Sequence, residues 1–420
     1  MKTSRTLRSA AAAALLVTLA ATATAPAAQA HTPGAGASAA ALTAGASATA
    51  APVLRQAAPD SPAVVGVVLP RPTGPSAVGR STLHLVDRSR QDPWVPDRPR
   101  ELMVDVYHPA RSAAGAPAPY ADPREARLLL EAAGNRDAEA AARLGATLTH
   151  SVAGARPQGG RHPLVLLSPG FGAPRFTLTT LAEEYASRGY VVAVVDHAYE
   201  AAGAVFPGGR VLTCVACEKA QTWEDMRKAT VNRGRDLSFV VDRLTGPRPA
   251  WRYARMIDRK RMGAAGHSIG GAAAASVMAR DERVRAGVNM DGSFGDPVPA
   301  GGLGGRPFLM LGTQDEVHLP GGGDPTWDEA WRHLDGWKRW LGVSGAHHFT
   351  FSDVPVLFDQ LGVAYPGDQP QPTIAAGRAV ELTRAYTTAF FDRHLRGRPQ
   401  PLLDGPTAQN PEVHFNGDAR

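Results

Sequence analysis

The hydrophobic pattern of the chain changes at about residue 163. Beyond it, short apolar runs alternate with longer amphipathic stretches. A short apolar run is typical of a strand buried on both faces, and an amphipathic stretch is typical of a helix packed on a sheet. The pattern predicts a mostly parallel central sheet with helices on both faces. The predicted strands are 164–167, 190–195, 262–265, 284–289, 308–311 and 340–343, and the predicted helices are 177–187, 223–244, 270–279, 326–337 and 374–395.

Three segments precede this region. Residues 81–86 and 101–107 are short runs, alternating or β-branched, separated by Pro- and Arg-rich turn material. They predict two antiparallel strands that lead into the sheet. Residues 120–153 are rich in Ala, Leu, Glu and Arg and contain no Pro after Pro123, so they predict a helical insertion. Two interpretations of this insertion stay open: a lid over a functional site, or a helix packed on the flank.

The N-terminal segment has the pattern of an export signal. A basic start precedes an apolar, alanine-rich run at 10–21, and Ala-Gln-Ala at 28–30 offers small residues for cleavage. The run is too short and too rich in alanine for a good membrane span. Residues 1–30 are therefore predicted to be a signal peptide removed near Ala30, which makes the mature protein secreted.

The rest of the chain divides at about residue 63. Residues 31–62 are mostly Ala, Thr, Gly, Ser and Pro, which cannot bury enough apolar surface to order themselves, so they predict a disordered linker. Residues 63–420 are predicted to form a single catalytic domain. The net charge of +6 comes from scattered Arg rather than from a basic block, which argues against nucleic acid as a partner.

The chain has two cysteines, Cys214 and Cys217. In an oxidising compartment this pair predicts a small structural disulfide that holds a loop. A thioredoxin-like redox pair is less favoured because the surrounding sequence lacks that βαβ context. No further Cys or His stands at zinc-ligand spacing, so no metal is expected.

The motif Gly-x-Ser-x-Gly occupies residues 266–270, within GAAGHSIGGA. It lies between a predicted strand and a predicted helix, which is where a nucleophilic serine is held on a sharp turn. At that position the hydroxyl of Ser268 also lies at the N-terminus of a helix, whose partial positive charge favours a developing oxyanion. Ser268 is therefore the candidate nucleophile.

A serine nucleophile needs a base and an acid that orients the base. The adjacent pair His347 and His348 follows the strand 340–343 and supplies two candidate bases. Asp291 and Asp315 follow two successive predicted strands and supply two candidate acids. All four lie at the carboxyl ends of strands, where sites gather in open parallel sheets.

Stabilising a tetrahedral oxyanion requires two backbone N–H donors. One donor is expected to be Ile269, immediately after the nucleophile. The other is expected in the glycine-rich turn Pro-Gly-Phe-Gly at 169–172, named below the oxyanion turn, where Phe171 is the favoured donor.

These segments together resemble a known family, the secreted platelet-activating-factor acetylhydrolase-like branch of the α/β-hydrolases. The resemblance runs from about Leu69 to the C-terminus. It rests on LHLVD (83–87), PLVLLSPGFG (163–172), RDLSFV (235–240), GHSIGG (266–271), NMDG (289–292) and HFTFSD (348–353).

The resemblance implies Asp291 as the acid and His348 as the base, because Phe351 and Asp353 set the register of the last motif. It implies Phe171 and Ile269 as the oxyanion donors. Many members of the family carry His before the Gly of the oxyanion turn, where this chain has Pro169. That departure puts the shape of the turn, rather than its role, in question.

The resemblance further implies an α/β-hydrolase fold and a secreted serine esterase that removes short acyl groups from phospholipids. It implies neither metal nor organic cofactor, a small-molecule or lipid ester as the substrate, transient contact with a lipid surface, and no obligate protein partner. The alternatives are a cutinase-, lipase- or polyesterase-like hydrolase and a non-catalytic secreted binding protein on the same fold.

Overall fold

The structure is a computed structural model that describes residues 64–365 and 371–417. The predicted signal peptide (1–30) and linker (31–62) lie outside the described residues. In chain order, the strands of the described part are β1 (Ala77–Gln91), β2 (Pro99–Ala110), β3 (Pro117–Pro119), β4 (Leu148–Ala153), β5 (His162–Ser168), β6 (Val191–His197), β7 (Gly203–Phe206), β8 (Arg210–Thr213), β9 (Ile257–His267), β10 (Val284–Met290), β11 (Phe308–Thr313), β12 (Lys338–Val343) and β13 (Val413–Asn416).

The α-helices of the same residues fall between and around these strands. They are α1 (Pro123–Ala132), α2 (Ala138–Gly145), α3 (Thr179–Ser187), α4 (Val215–Lys219), α5 (Trp223–Thr245), α6 (Ile269–Arg280), α7 (Pro325–His333), α8 (Val354–Leu361) and α9 (Ala376–Arg396).

The described strands form one large sheet in the order β13-β12-β11-β10-β9-β5-β6-β2-β1-β4-β3. The six strands from β12 to β6 run parallel to one another. At one side β2 joins β6 antiparallel and β1 joins β2 antiparallel, with Leu83 opposite Val104. At the other edge β13 pairs antiparallel with β12. The predicted mostly parallel sheet and its antiparallel entry are confirmed, and the fold is that of an α/β-hydrolase.

Helices cover both faces of the sheet, as the amphipathic pattern predicts. On one face α5 and α6 pack over the central strands, and the predicted stripe of α5 is fully buried: Leu237, Val240, Val241 and Leu244. On the other face α3 and α9 cover the sheet with large side chains such as Tyr185, Phe390 and Phe391. The spacing of three and four residues along α5 places its apolar side chains on one side of the helix.

The predicted helical insertion over 120–153 consists of two short helices, and the prediction is wrong only at its end, where residues 148–153 form a strand. Helix α1 ends before Gly134, whose φ is +81°, and Asp137 caps a second, short helix by accepting from the N–H of Glu139. Residues 148–153 form β4, which pairs with β1 and β3. Sheet pairing by the alternating side chains of Leu-Thr-His-Ser-Val-Ala outweighs the helical composition of the preceding residues.

Several elements near the predicted site carry no strong periodic signal in the sequence. The hairpin β7–β8 and the short helix α4 follow β6, and α8 follows the segment with the two histidines. Within residues 64–365 and 371–417 no helix combines the length and apolar character that a membrane crossing needs.

Candidate active site

Ser268 lies on the sharp turn between β9 and α6. Its backbone has φ 56° and ψ −130°, a conformation that non-glycine residues rarely adopt and that surrounding structure must hold in place. The N–H of Ser268 donates to the carbonyl oxygen of Met290 at 2.8 Å, which ties the turn to the end of β10. Ser268 is partly exposed, between the buried residues His267 and Ile269.

The glycines on either side of Ser268 are required by close approach of the backbone. A Cβ atom on Gly266 or on Gly270 would lie well inside van der Waals contact of the carbonyl oxygen of Ser168, at the end of β5. The turn can therefore form only where both positions lack a side chain. This is the physical reason for the spacing of Gly-x-Ser-x-Gly in this chain.

Asp291 lies on a second strained turn, directly after β10. Its φ is +60°, and its N–H donates to the carbonyl oxygen of Leu311 at 2.9 Å. The side chain of Asn289 closes the turn by accepting from the N–H of Gly292 at 3.0 Å and donating to the carbonyl of Gly292 at 2.6 Å. The Asn-Met-Asp-Gly motif is thus a clamp that holds Asp291 in one orientation.

The imidazole of His348 pairs with Asp291. Nδ1 of His348 lies 2.7 Å from Oδ2 of Asp291, whose side chain is 1% exposed, while that of His348 is 35% exposed. Burial alone would raise the pKa of Asp291, but the nearby His318 cation and the hydrogen bond from His348 outweigh it and hold that pKa well below its usual range. With Nδ1 held by an ionised carboxylate, Nε2 of His348 is left for proton transfer.

The two rival candidates occupy other positions. Asp315 caps its own loop: Oδ1 accepts from the N–H groups of Val317 and His318, both at 3.0 Å, and Oδ2 accepts from Thr313 Oγ1 at 2.7 Å. His347 begins the short turn 348–351, where its N–H donates to Thr350 Oγ1 at 2.8 Å. Its ring packs on the aromatic rings of Phe349 and Tyr365, with centroids 5.6 Å and 4.9 Å away.

His267, the variable residue of the motif before Ser268, joins the turn to the loop of His348. Its Nε2 donates to the carbonyl oxygen of His348 at 2.7 Å, and the two rings lie with centroids 4.8 Å apart. Burial, reinforced by the neighbouring His348, lowers the pKa of His267 to about 3. His267 is therefore neutral at ordinary pH, and its single proton is on the nitrogen that faces this carbonyl.

The oxyanion turn lies beside Ser268. A Cβ atom on Gly170 would be 3.5 Å from Cβ of Ser268. In the described part of the chain, neither the N–H of Phe171 nor that of Ile269 donates a hydrogen bond. The turn itself is anchored, because the N–H of Gly172 donates to the carbonyl of Glu200 at 2.9 Å. Two unpaired donors on a fixed backbone are what an oxyanion site needs.

A buried cation supports the oxyanion turn from below. Arg233, on α5, donates to the carbonyl oxygens of Pro169 and Gly170 and forms an ion pair with Glu200 at 2.7 Å. Glu200 in turn pairs with Arg100, also at 2.7 Å. The departure at Pro169 thus leaves a turn that is held by side chains from elsewhere in the chain.

Arg233 was not predicted as a site residue, although the sequence carries a signal for it. Arg233 lies four residues before Leu237, the first residue of the apolar stripe of α5, and so falls on the buried side of that helix. Asp236 also lies on the buried side of α5, four residues before Val240. It accepts from His197 Nδ1 at 2.8 Å. A charged residue in a buried stripe indicates a buried ion pair or network.

An apolar cluster contains the two predicted oxyanion donors. Cys214 and Cys217 form a disulfide beside Gly172, and Cys214 belongs to a cluster that contains both donors, Phe171 and Ile269. Its other large members are Trp94, Val95, Tyr199, Val215 and Met226. Several of these residues are only partly buried, so they offer apolar surface next to Ser268. Among the residues that the structure describes, no group of three or more His, Cys, Asp or Glu side chains is arranged to hold a metal ion.

Comparisons with known proteins identify relatives of the chain. The family model of platelet-activating factor acetylhydrolase, isoform II, matches residues 143–223. The chain is 30% identical over 388 residues to a probable 1-alkyl-2-acetylglycerophosphocholine esterase of Arthroderma benhamiae, across 83% of this chain and 93% of that protein. It is 26% identical over 163 residues to the platelet-activating factor acetylhydrolase of Cavia porcellus, across 32% of this chain and 35% of that protein.

A solved structure extends the likeness to three dimensions. The ferulic acid esterase of Streptomyces cinnamoneus superposes with a TM-score of 0.74 at 46% sequence identity, across 84% of this chain and 99% of that chain. Fold, turn geometry and relatives thus agree: the chain belongs to the platelet-activating factor acetylhydrolase family of α/β-hydrolases and is a carboxylic ester hydrolase of the serine type.

Proposed function

We propose that Ser268, His348 and Asp291 are the catalytic triad of an ester hydrolase. The contact of 2.7 Å between His348 Nδ1 and Asp291 Oδ2, beside a serine held at positive φ, carries this proposal. Nε2 of His348 accepts the proton of Ser268 as its oxygen attacks the ester carbonyl, and then donates that proton to the leaving alcohol. Asp291 holds the imidazole in the tautomer that this transfer needs.

The remaining half of the reaction uses the same groups. The N–H groups of Phe171 and Ile269 donate to the oxyanion of each tetrahedral intermediate, and the N-terminus of α6 adds its partial positive charge. Water then attacks the acyl-serine, with His348 as the base that removes its proton. Collapse of the second intermediate releases the carboxylic acid and returns the proton to Ser268.

The first candidate substrate is a phospholipid with a short acyl group at the sn-2 position. It is supported by the names of the relatives, one of which aligns over 93% of its length. A substrate of this kind brings the enzyme into transient contact with a lipid surface. The open position of Ser268 and His348 suits an ester presented at such a surface.

The second candidate substrate is an ester of an aromatic acid such as ferulate. The neighbour at 46% identity is a ferulic acid esterase, and the apolar cluster beside the oxyanion turn includes the rings of Phe171, Tyr199 and Trp94. Aromatic rings favour offset or edge-to-face contacts with other rings, so this cluster suits an aromatic acyl group near Ser268.

The decisive experiment compares kcat/KM of the purified mature chain on a 1-alkyl-2-acetyl phospholipid and on ethyl ferulate, with Ser268→Ala as the control. A higher value on one of the two assigns the substrate class. Preference for a long-chain triacylglycerol or a polyester film would instead contradict both and favour a lipase- or cutinase-like enzyme. Absence of turnover and of fluorophosphonate labelling at Ser268 would refute the triad.

We also propose that the protein is exported and that residues 1–30 are removed. The basic start, the alanine-rich apolar run and the Ala-Gln-Ala at 28–30 support this. The disulfide between Cys214 and Cys217 also supports it, because disulfides persist in oxidising compartments. N-terminal sequencing of the protein from culture medium tests the proposal, and a chain that starts at Met1 would contradict it.

A further inference from the structure

The carboxylate of Asp291 has a second oxygen that the triad does not use. Oδ1 accepts from the N–H of Thr313 at 2.7 Å, and Thr313 Oγ1 lies 3.1 Å from it. Nδ1 of His318 lies 3.3 Å from the same oxygen. Thus two imidazoles share one buried carboxylate, with His348 on Oδ2 and His318 on Oδ1.

His318 is held by contacts of its Nδ1, its ring and its main chain. Nδ1 also lies 2.9 Å from Thr313 Oγ1 and 3.4 Å from Asp315 Oδ1. The ring packs on Trp327 with centroids 4.8 Å apart, and the carbonyl oxygen of His318 accepts from Trp340 Nε1 at 2.9 Å. The residue is 8% exposed, so its ring has one position relative to Asp291.

The charges around His318 favour an imidazolium. Burial opposes protonation, but the carboxylates of Asp291 and Asp315 outweigh it, with a smaller contribution from Asp324, and together they raise the pKa of His318 to about 9. These three carboxylates come from the end of β10, from the loop of His318 itself and from the N-cap of α7. At neutral pH the site therefore contains a fixed cation behind the acid of the proposed triad.

We propose that His318 is a positioning residue of the esterase site, which fixes Oδ1 of Asp291 so that Oδ2 faces His348, and that Asp315 orients His318. The role rests on the proposed function, since it presupposes that Asp291 orients the base. The proposal also gives Asp315 a role at the site. Asp315 contacts His318, which contacts Asp291, and does not contact His348.

The positive charge of His318 also affects the protonation of the base, an effect that a neutral side chain in the same position would lack. It offsets part of the negative charge of Asp291, and that charge is what stabilises the protonated, inactive form of the base. Removing the cation therefore stabilises the protonated base, and more acid-inactivated enzyme is present at a given pH. The acid limb of the pH profile should move to higher pH.

The test measures kcat and kcat/KM against pH for His318→Gln, on whichever ester the wild type turns over. We expect kcat to fall about tenfold and the acid limb to move up by roughly one pH unit, as for the loss of a charge close to the coupled pair. Asp315→Asn should move the limb much less, because Asp291 still faces the His318 cation. The matched control is His333→Gln, because His333 lies on α7 and bonds to the carbonyl of Val298; it should move neither quantity.

An acid limb that stays in place in folded His318→Gln would overturn the proposal, whatever the effect on stability. A second measurement does not depend on the variant folding or on turnover: NMR titration of the ring of His318 in the wild type. A ring that is neutral at pH 7 would overturn it too, whereas a ring still protonated at pH 7 would support it. Turnover retained by Ser268→Ala would instead refute the proposed triad itself.

Discussion

Arg233 and Glu200 form a buried ion pair directly beneath the oxyanion turn, with Nε and Oε2 2.7 Å apart. Each residue also contacts the turn itself. Arg233 donates to the carbonyl oxygen of Gly170 at 3.4 Å, and the main-chain carbonyl of Glu200 accepts from the N–H of Gly172 at 2.9 Å. The N–H of Phe171 lies between these contacts, so Arg233 and the main chain of Glu200 hold the turn on both sides of it.

Arg233→Gln should therefore impair turnover rather than substrate binding. A misplaced donor weakens contacts made in the transition state, and we expect kcat to fall about 100-fold with KM little changed. The control is Arg235→Gln, an exposed arginine on the same helix. Steady-state kinetics below the melting temperature of each variant make the comparison. An unchanged kcat would show that the turn does not need Arg233.

Asp291→Asn and Asp315→Asn should differ strongly in activity. An amide at position 291 cannot stabilise the imidazolium or hold its tautomer, and the comparable change in a serine protease lowers kcat about 10⁴-fold. Asp315→Asn should stay within about tenfold of the wild type at neutral pH and mainly lower the free energy of unfolding. Measurements of kcat and of urea unfolding for both variants test this assignment of the acid. A larger loss of kcat in Asp315→Asn than in Asp291→Asn would instead assign the acid to Asp315.

The adjacent histidines provide an internal control. His348→Ala should abolish turnover, because no other imidazole of the described residues lies at hydrogen-bond distance from Asp291 Oδ2. His347→Ala should retain substantial activity, since His347 begins the turn 348–351 and packs on Phe349 and Tyr365. Rates of acylation by a chromogenic ester measure both. Loss of activity in both variants with the fold intact would contradict the assignment.

Gly270→Ala should destabilise the protein by about 3 kcal/mol, because the added Cβ overlaps the backbone of Ser168 and neither segment can move without opening the turn. Gly377→Ala is the opposite case. Gly377 is exposed in the first turn of α9, with nothing within 4 Å of an added Cβ. Gly377→Ala should therefore raise the free energy of unfolding by about 0.5–1 kcal/mol. The melting temperature should fall in Gly270→Ala and rise in Gly377→Ala, as measured by thermal unfolding.

The pH dependence of stability should report on Asp353. Burial raises its pKa to about 7, although the hydroxyls of Thr180 and Tyr120 donate to it and oppose that rise. In the unfolded chain the carboxyl of Asp353 ionises near pH 4, as an ordinary aspartate does. The stabilisation by the protonated carboxyl is therefore complete below about pH 4 and is lost as the pH rises towards 7.

Asp353→Asn removes this titration because the amide stays neutral. The difference in unfolding free energy between Asp353→Asn and the wild type should therefore change in favour of the variant from pH 4 to pH 7. Urea unfolding at a series of pH values measures it. Parallel curves over this range would mean that Asp353 is ionised in the native protein.

Much of the fold could be predicted from the sequence because its signals are local. The apolar stripe of α5 and the short apolar runs of the central strands are periodicities within one segment, and the structure places both in the core. The strand β4 was missed for the converse reason. Its six residues follow a helical composition, and only pairing with β1 and β3 makes them a strand.

For the site too, some features follow from local sequence and others depend on contacts between distant segments. The position of Ser268 follows from a local requirement, because two glycines and a strand-to-helix turn are visible in five residues. The choice between Asp291 and Asp315, and the support from Arg233 and His318, depends on distances between segments that are far apart in the chain. No pattern within a segment encodes such distances.

By itself, then, the order of residues determined the class of fold, the candidate nucleophile and a short set of partners for it. The tertiary structure decided which carboxylate meets the imidazole, and which buried charges hold the oxyanion turn and the second oxygen of that carboxylate. The physical reason is that periodicity and turn chemistry act between neighbours in sequence, whereas a hydrogen bond depends on atoms brought within about 3 Å by the order of strands in the sheet.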